Sequence, residues 1–258
     1  MLIGARNAIL AGGGSQPSGG VEPLCFSVID RGGGASHYIT LGMQASNASA
    51  PAVDLLYSTD KQNWLPFSVG TTSIDLYVND RVWFKAGQSG NTSLASSNAN
   101  YNKFTESGHY TLRLEASGNT NSLLDGEQEI DAVGAYAFAH LFEGMKSLMY
   151  SPELPAINLA KSCYRDMFSG CDELRTSPSL PASTLATRCY QNMFYGCELL
   201  KSIRVNFTTW VTVNTFAWVD GVAASGTFYC PTALGTNSTI TRGGSACPEG
   251  WTVINTDA

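Results

Sequence analysis

The sequence predicts a mixed α+β fold, in which an amino-terminal β-sandwich-like domain precedes a short solenoid with a carboxy-terminal cap. Three observations carry this prediction. Short runs of alternating apolar and polar residues occupy most of residues 21–121, a 26-residue pattern repeats without a gap from Leu141, and residues 210–253 are rich in aromatic side chains. Alternation at a period of two is typical of half-buried strands, and self-similarity at a fixed period of about 20 to 50 residues is typical of a solenoid.

The composition favours a binding or structural protein. The 258 residues include 15 Lys and Arg against 21 Asp and Glu, a formal net charge of −6, and only 14% of them are charged. There is no basic stripe to neutralise phosphates, so nucleic acid is not an expected partner. No apolar run approaches the roughly 20 residues that cross a bilayer, so membrane insertion is not expected either. Low charge with abundant Gly, Ser, Thr and Asn is common in β-rich extracellular or virion proteins.

Residues 1–20 are predicted to be an anchor peptide on a Gly-rich linker. Residues 12–20, GGGSQPSGG, have almost no side chains to bury, which favours a flexible linker. Before it stand four apolar side chains that a free tail does not need: Leu2, Ile3, Ile9 and Leu10. They indicate either a disordered tail or a segment that docks on a neighbouring virion protein, and the composition favours neither.

The same segment does not resemble a secretory signal. A signal peptide needs an apolar core of about 7 to 15 residues, whereas Arg6 and Asn7 interrupt this short apolar opening. Cys25 follows a polar, Gly-rich stretch, so a lipoprotein acylation site is not expected. A secreted adhesin should carry one of these signals, while a virion protein released by lysis needs neither. The virion is therefore the expected location, and the bacterial cell surface or secretion is the alternative.

Residues 21–128 are predicted to form the β-sandwich-like domain, with roughly seven strands. The best candidates combine β-branched and aromatic residues with alternation, and Gly, Asn, Ser and Asp separate them. They are Leu24–Ile29, His37–Gln44, Val53–Tyr57, Ser73–Tyr77, Arg81–Lys85 and His109–Glu115. Residues 57–64 have the Asp and Asn residues of a tight hairpin. An Asp-box of the sialidase type is the functional alternative, but its spacing is one residue short and only one copy is present.

The 26-residue repeat is the clearest pattern in the chain. Three successive units have the same residue at three positions: Phe142, Phe168 and Phe194; Gly144, Gly170 and Gly196; and Leu148, Leu174 and Leu200. Two units have the same residue at four further positions: Pro152 and Pro178; Leu154 and Leu180; Leu159 and Leu185; and Cys163 and Cys189. A unit of this size cannot bury its apolar face alone, so neighbours must stack and the ends must be capped. Residues 129–209 are therefore the predicted solenoid, and residues 210–258 are its cap.

Each unit is predicted to consist of a helix, a turn and a strand. Leu159, Cys163 and Met167 follow one another at spacings of four, which places them on one face of a short helix. Gly170 stands where such a helix would end. The next segment contains Pro178, which disfavours a helical residue before it and so predicts an extended chain.

The repeats resemble the BspA-type leucine-rich repeats of gut Bacteroidales surface proteins and of the phages that infect these bacteria. The resemblance lies in CYRDMFSGCDELRTSPSLPASTLA and its copy CYQNMFYGCELL, and in the closing VDGVAASGTFYCP and PEGWTV. It covers most of residues 24–254, since a β-domain with a hairpin like residues 57–64 precedes the repeats in similar proteins. It implies a leucine-rich-repeat-like solenoid and a role in adhesion or host recognition. With only two complete units and a fragment, the chain departs from the pattern and offers little concave surface.

Seven Cys residues are present, and their spacing guides their interpretation. The repeats carry pairs eight residues apart, whereas zinc ligands usually stand about two to four apart. Stacking would place Cys163 against Cys189 and Cys171 against Cys197, so buried free thiols are favoured over a disulfide or a metal site. The pair at 230 and 247 could close a 16-residue loop, and either a disulfide or two free thiols fits it.

No motif for catalysis or cofactor binding is recognisable, so neither an activity nor a cofactor is expected. The patterns G-x-S-x-G and H-E-x-x-H, phosphate loops and dinucleotide fingerprints do not occur. His37, His109 and His140 stand in separate predicted elements, which favours partly exposed structural side chains. A carbohydrate-active enzyme with an unrecognised site is kept as an alternative, since one sequence does not show which carboxylates converge.

The expected function is that of a non-enzymatic phage virion protein, a fibre, tail or capsid decoration, that binds the host surface or a neighbouring virion protein. A Bacteroidales cell-surface adhesin is the alternative. Positions that differ between units and are expected to be exposed form the candidate contact face: Met149, Arg165, Arg175, Gln191 and Lys201. Long amphipathic side chains suit a host glycan or protein, and many copies per particle would compensate for weak single contacts.

Overall fold

The computed structural model describes residues 21–30, 37–108, 111–126 and 130–257. Over these residues the chain is nearly all β, with 33% in strands and 3% in helices, and the repeats form a β-solenoid of about four turns. The prediction of a mixed α+β fold with helix-turn-strand units is therefore wrong. The helices of this part are α1, a single turn at Ser122–Asp125, and a 3-10 turn at Thr232–Leu234. Neither is long and apolar enough to span a membrane.

Eight strands of the described residues build the amino-terminal part, and six of them correspond to predicted strands. They are β1 (Leu24–Asp30), β2 (Tyr38–Ala45), β3 (Leu55–Ser58), β4 (Leu65–Phe67), β5 (Ser73–Tyr77), β6 (Arg81–Ala86), β7 (Asn102–Gly108) and β8 (Leu112–Ser117). Antiparallel pairing joins β8, β1, β6, β3 and β4 into one sheet, and β5, β2 and β7 into a second. Phe26, Phe84 and Phe104 contact one another edge to face in the core. The prediction missed β4 and β7.

The segment between β3 and β4 is the structural hairpin that its residues predict. Asp60 accepts hydrogen bonds from the backbone N–H groups of Asn63 and Gln62, both at 2.8 Å. Together with the Asn63 side chain, these bonds hold the pKa of the Asp60 carboxyl well below its ordinary value. The carboxylate therefore shapes the turn backbone, as Asp residues commonly do in tight turns.

Each full turn of the solenoid, which we call a coil, contributes one strand that continues the first sheet. These strands are β9 (Leu148–Tyr150), β10 (Thr176–Leu180), β11 (Ser202–Val205) and β12 (Thr227–Cys230), followed by β13 (Thr252–Asn255), and they pair in parallel. Since β8 also pairs with β9, one ten-stranded sheet runs in the order β13-β12-β11-β10-β9-β8-β1-β6-β3-β4. The sheet of the amino-terminal part therefore continues into the solenoid, while the predicted boundary between residues 128 and 129 lies outside the described residues.

The second sheet also joins the solenoid. The backbone N–H of Phe104, in β7, donates to the carbonyl of Leu141 at 2.8 Å. A similar bond of 2.7 Å joins Leu94 to Ala137. The buried apolar residues of the two parts form one core cluster. The sandwich-like part thus covers the open end of the first coil.

The predicted helix of each unit is a run of consecutive β-turns. Turns occupy residues 135–144, 161–170 and 187–196, and every fourth residue in them is left-handed. In the middle unit the left-handed residues are Ser162 (φ 57°), Asp166 (φ 55°) and Gly170 (φ 71°). A helix has a period of about 3.6 residues and a chain of four-residue turns has a period of four. The spacing of Leu159, Cys163 and Met167 fits both patterns over so short a segment, which is why it predicted a helix.

Hydrogen bonds between coils stabilise these turns. The backbone N–H of Tyr164 donates to the carbonyl of Cys189, in the next coil, at 3.0 Å. That of Asp166 donates to Gln191 at 2.9 Å, whereas that of Met167 donates within its own turn, to Tyr164 at 3.3 Å. A left-handed conformation costs a residue other than Gly roughly 1–2 kcal/mol, which the bonds between coils offset. Stacking therefore fixes the turn conformation, and local helix propensity does not.

Equivalent residues stack in columns inside the coils, as the repeat predicts. Leu148, Leu174 and Leu200 are fully buried. The ring centre of Phe168 lies 5.3 Å from that of Phe142 and 5.8 Å from that of Phe194, with nearly parallel planes. The predicted solenoid is confirmed, with a different backbone between its strands.

The carboxy-terminal residues add the fourth coil and close the stack. The buried Trp218 donates from Nε1 to the carbonyl of Ala246 at 2.8 Å, which holds the closing segment over the turns. On the strand side, Asn237 Oδ1 accepts from the backbone N–H of Val253 in β13 at 3.1 Å. Arg242 donates to the carbonyl of Trp251, the residue immediately before β13, at 3.0 Å. Side chains thus form hydrogen bonds with backbone groups at this edge of the sheet that a further strand would otherwise pair with.

Candidate functional site

The large sheet turns one side toward the core and the other side outward. In β11, Ile203 and Val205 are buried, while Ser202 and Arg204 point away from the core. β12 and β13 alternate in the same phase, because successive residues of a strand point to opposite sides. We call the outward side of β8–β13 the outer face.

Parallel pairing aligns the outer face into two rows that cross the strands. The first row consists of paired residues that all carry a hydroxyl group: Tyr150, Thr176, Ser202, Thr227 and Thr252. The second row consists of Ser179, Arg204, Tyr229 and Ile254. Neighbouring strands lie about 4.8 Å apart, so the first row offers a hydroxyl group at about that interval.

Aromatic, cationic and acidic side chains complete the outer face. Tyr150 is 38% exposed. It lines an open groove of about 800 Å³ together with Glu115 and Glu153. The guanidinium carbon of Arg204 lies 4.5 Å from the ring centre of Tyr229. Stacking orients the planar guanidinium and leaves the N–H donors at its edge free to bind a ligand.

The predicted contact residues do not form one surface. Met149 is buried, with 6% of its surface exposed. Arg175 and Lys201 lie one residue before β10 and β11. Arg165 and Gln191 lie in the runs of turns, which we call the turn side. The repeat could have revealed the outward residues, which stand one position after Met149, Arg175 and Lys201. They are also 26 residues apart: Tyr150, Thr176 and Ser202.

Other predicted residues fall outside the part of the chain that the structure describes. These are His109 and the four anchor residues Leu2, Ile3, Ile9 and Leu10. The anchor therefore stays a prediction. His37 lies immediately before β2.

His140 belongs to a buried polar cluster between the sandwich-like part and the coils. It is 5% exposed, against the expectation of a partly exposed His, and its ring stacks on Tyr101 with 4.0 Å between ring centres. Its Nδ1 lies 3.3 Å from the Glu143 carboxylate, and its Nε2 lies 3.7 Å from the carboxylate of Asp166. Burial opposes ionisation of Glu143, but His140 and Lys103 outweigh it and hold the pKa of Glu143 below its ordinary value. The cluster joins β7 to the first two coils.

A cleft of about 450 Å³ beside the ends of β7 and β8 contains the half-buried carboxyl group of Glu106. One oxygen of Glu106 accepts the backbone N–H of Ser147 at 2.6 Å, and the other accepts the Ser147 hydroxyl. Burial raises the pKa of Glu106, although these hydrogen bonds oppose the rise. Arg113 and Glu173 form an ion pair at 2.6 Å in the same cleft. A carboxyl group with a raised pKa in a cleft is a candidate general acid, but it also occurs in purely structural networks.

All seven Cys residues are free and buried. Cys171 donates from Sγ to the carbonyl of Phe142 at 3.1 Å, and Cys197 makes the equivalent bond to Phe168 one coil later. Burial raises the pKa of Cys189 to about 12. Within the described residues no three His, Cys, Asp or Glu side chains cluster as metal ligands. The structure also has free thiols at positions 230 and 247, where the sequence left a disulfide open.

We expect the thiols of the folded protein to resist modification. The thiolate is the reactive form, and burial in apolar surroundings disfavours it. A chromogenic disulfide reagent at pH 8 should therefore react with few thiols in the native chain and with all seven after denaturation. Elemental analysis should find no stoichiometric zinc. Bound zinc, or thiols missing from the denatured and unreduced chain, would contradict this expectation.

No family model, no curated protein and no solved structure matches this chain. The likeness to BspA-type repeats therefore stays a prediction that rests on the quoted motifs.

Proposed function

We propose that this chain is a non-enzymatic phage virion protein, a fibre, tail or capsid decoration, that binds a host surface through its outer face and a neighbouring virion protein through its amino-terminal peptide. The observation that carries this proposal is the regular outer face itself. Five strands, β9–β13, present outward side chains in aligned rows, and the core behind them is closely stacked. A rigid, polar and partly aromatic surface binds with little loss of conformational entropy.

The virion setting draws on the resemblance of the repeats to surface and phage proteins of gut Bacteroidales. In this proposal the amino-terminal peptide attaches the chain to the particle, and the outer face points toward the host. A single small face should bind with millimolar to micromolar affinity, and many copies on one particle would raise the effective affinity by roughly a hundredfold or more.

The cleft at Glu106 supports a second candidate function, that of a carbohydrate-active enzyme. Glu106 combines partial burial with a raised pKa, which suits a general acid. The same carboxyl group, however, bonds the corner of the first coil at Ser147 to β7. This structural contact accounts for its burial without any reaction, so we favour the binding function.

Whole-cell binding tests the proposed function against the enzymatic one. Purified protein should be retained on cells of at least one gut Bacteroidales strain in a panel and should release no reducing sugar from them. Glu106→Gln keeps a hydrogen-bonding group in the cleft but cannot supply a proton in the same way, and it should bind as the parent does. Absence of retention on every strain would contradict the proposal, and release of reducing ends that the Glu106→Gln variant loses would establish the enzyme.

A further inference from the structure

We infer that the ligand of the outer face is an uncharged polysaccharide that lies across the strands, along the stacking direction of the coils. This inference rests on the proposed function and names the class of molecule that the face binds. It follows from the repetition, the chemistry and the charge of the two rows.

The first row matches a ligand that is itself a repeating polymer. Its five hydroxyl-bearing residues stand at paired positions of β9–β13. Each strand step of about 4.8 Å therefore presents a group that both donates and accepts hydrogen bonds. A chain of sugar units offers hydroxyl groups at every unit, so it can repeat one contact along the row. A single small molecule would use only a fraction of it.

Three kinds of side chain add the contacts that sugar rings use. Tyr150 exposes an aromatic ring, against which the apolar C–H face of a pyranose can pack. Arg204, held on Tyr229, supplies fixed N–H donors. Glu115 and Glu153 supply acceptors in the groove beside Tyr150. Donors, acceptors and an aromatic ring on one surface fit polyhydroxylated rings better than an apolar partner.

The charges of the face disfavour a strongly charged polymer. Arg204 lies on β11, and no carboxylate lies within ion-pair distance of it among the described residues. Glu115 and Glu153 lie at the opposite end, near β8 and β9, so a polyanion that reaches Arg204 would meet two carboxylates further along. The whole chain carries a formal net charge of −6, which also repels a polyanion. A polycation would be opposed by Arg204, and an uncharged chain meets neither penalty.

The spacing requires an extended ligand. Two strand steps separate Tyr150 on β9 from Arg204 on β11, a span of about 10 Å across the sheet. One sugar ring cannot contact both residues. Affinity should therefore increase with oligosaccharide length and should depend on both residues.

Binding to immobilised polysaccharides tests the inference with the full chain. The probes are a mixed-linkage glucan, a galactomannan and a xylan, with polygalacturonate as the anionic comparison. We expect binding to at least one uncharged probe, at least about tenfold weaker binding to polygalacturonate, and little dependence on salt. A hexasaccharide of the bound polymer should compete at least about tenfold better than its disaccharide.

Two pairs of variants assign the binding to the outer face. Tyr150→Ala and Arg204→Gln should each weaken it about tenfold. Tyr195→Ala is the matched control for the first, because Tyr195 is an exposed tyrosine on the turn side. Lys161→Gln is the control for the second, because Lys161 Nζ lies 5.8 Å from the ring centre of Tyr136 on the turn side. Both controls should bind as the parent does.

Several results would overturn the inference: binding to no uncharged probe, stronger binding to polygalacturonate, equal competition by disaccharide and hexasaccharide, or equal losses in the control variants. If the protein were still retained on cells under any of these outcomes, the proposed function would stand with a different ligand. If retention on cells failed as well, both would fall.

Discussion

Replacing Leu174 by Asp is expected to unfold the protein. Leu174 is fully buried in the middle of three stacked units, between equivalent Leu residues of the coils on either side. An ionised carboxylate at this position would have no partner, and such substitutions commonly cost more than about 4 kcal/mol. That is a large part of the roughly 5–15 kcal/mol that stabilises a typical domain. Thermal and urea denaturation, followed by circular dichroism, measure the loss.

Leu199→Asp provides a matched control for this prediction. Leu199 is 38% exposed in the next coil, so a carboxylate there can remain hydrated. It should cost less than about 1 kcal/mol. If the Leu174→Asp variant melted like the Leu199→Asp variant, the column of Leu residues would not lie in the core.

The repeat could be recognised in the sequence, but the backbone conformation between its strands could not be predicted. Internal positions such as Phe168 and Leu174 recur because stacking fixes them, and they are buried as the period predicts. The left-handed residues are mostly not Gly, and Ser162 and Arg188 give no local sign of that conformation. Their backbone is stabilised by hydrogen bonds to the next coil, and contacts of this kind lie about 25 residues away in sequence.

The continuous sheet could not be predicted for a similar reason. Leu114 in β8 pairs with Leu148 in β9, across a stretch that contains the predicted domain boundary. Local alternation predicts that a strand exists, but it does not say which strand lies beside it. The candidate site was also predicted only approximately. Arg175 and Lys201 lie at the corners of their coils, and the outward residue of each strand lies one position later.

A polymer attached to the outer face is expected to abolish binding of the protein to host cells. Ser179 is exposed on β10, within the second row and beside the groove. Thr187 is exposed in the run of turns of the third coil. Because the seven native thiols are buried, a single Cys introduced at either position can be joined selectively to a polyethylene glycol maleimide. A polymer at residue 179 would cover the outer face, and one at residue 187 would leave it open.

Retention of these two conjugates on host cells tests most directly whether the outer face makes the contact. The Ser179→Cys conjugate should lose retention, since the polymer excludes any extended ligand from the rows, while its unmodified form and the Thr187→Cys conjugate should be retained like the parent. Equal retention of both conjugates, or loss only with the polymer at residue 187, would contradict the account and place the contact elsewhere on the molecule.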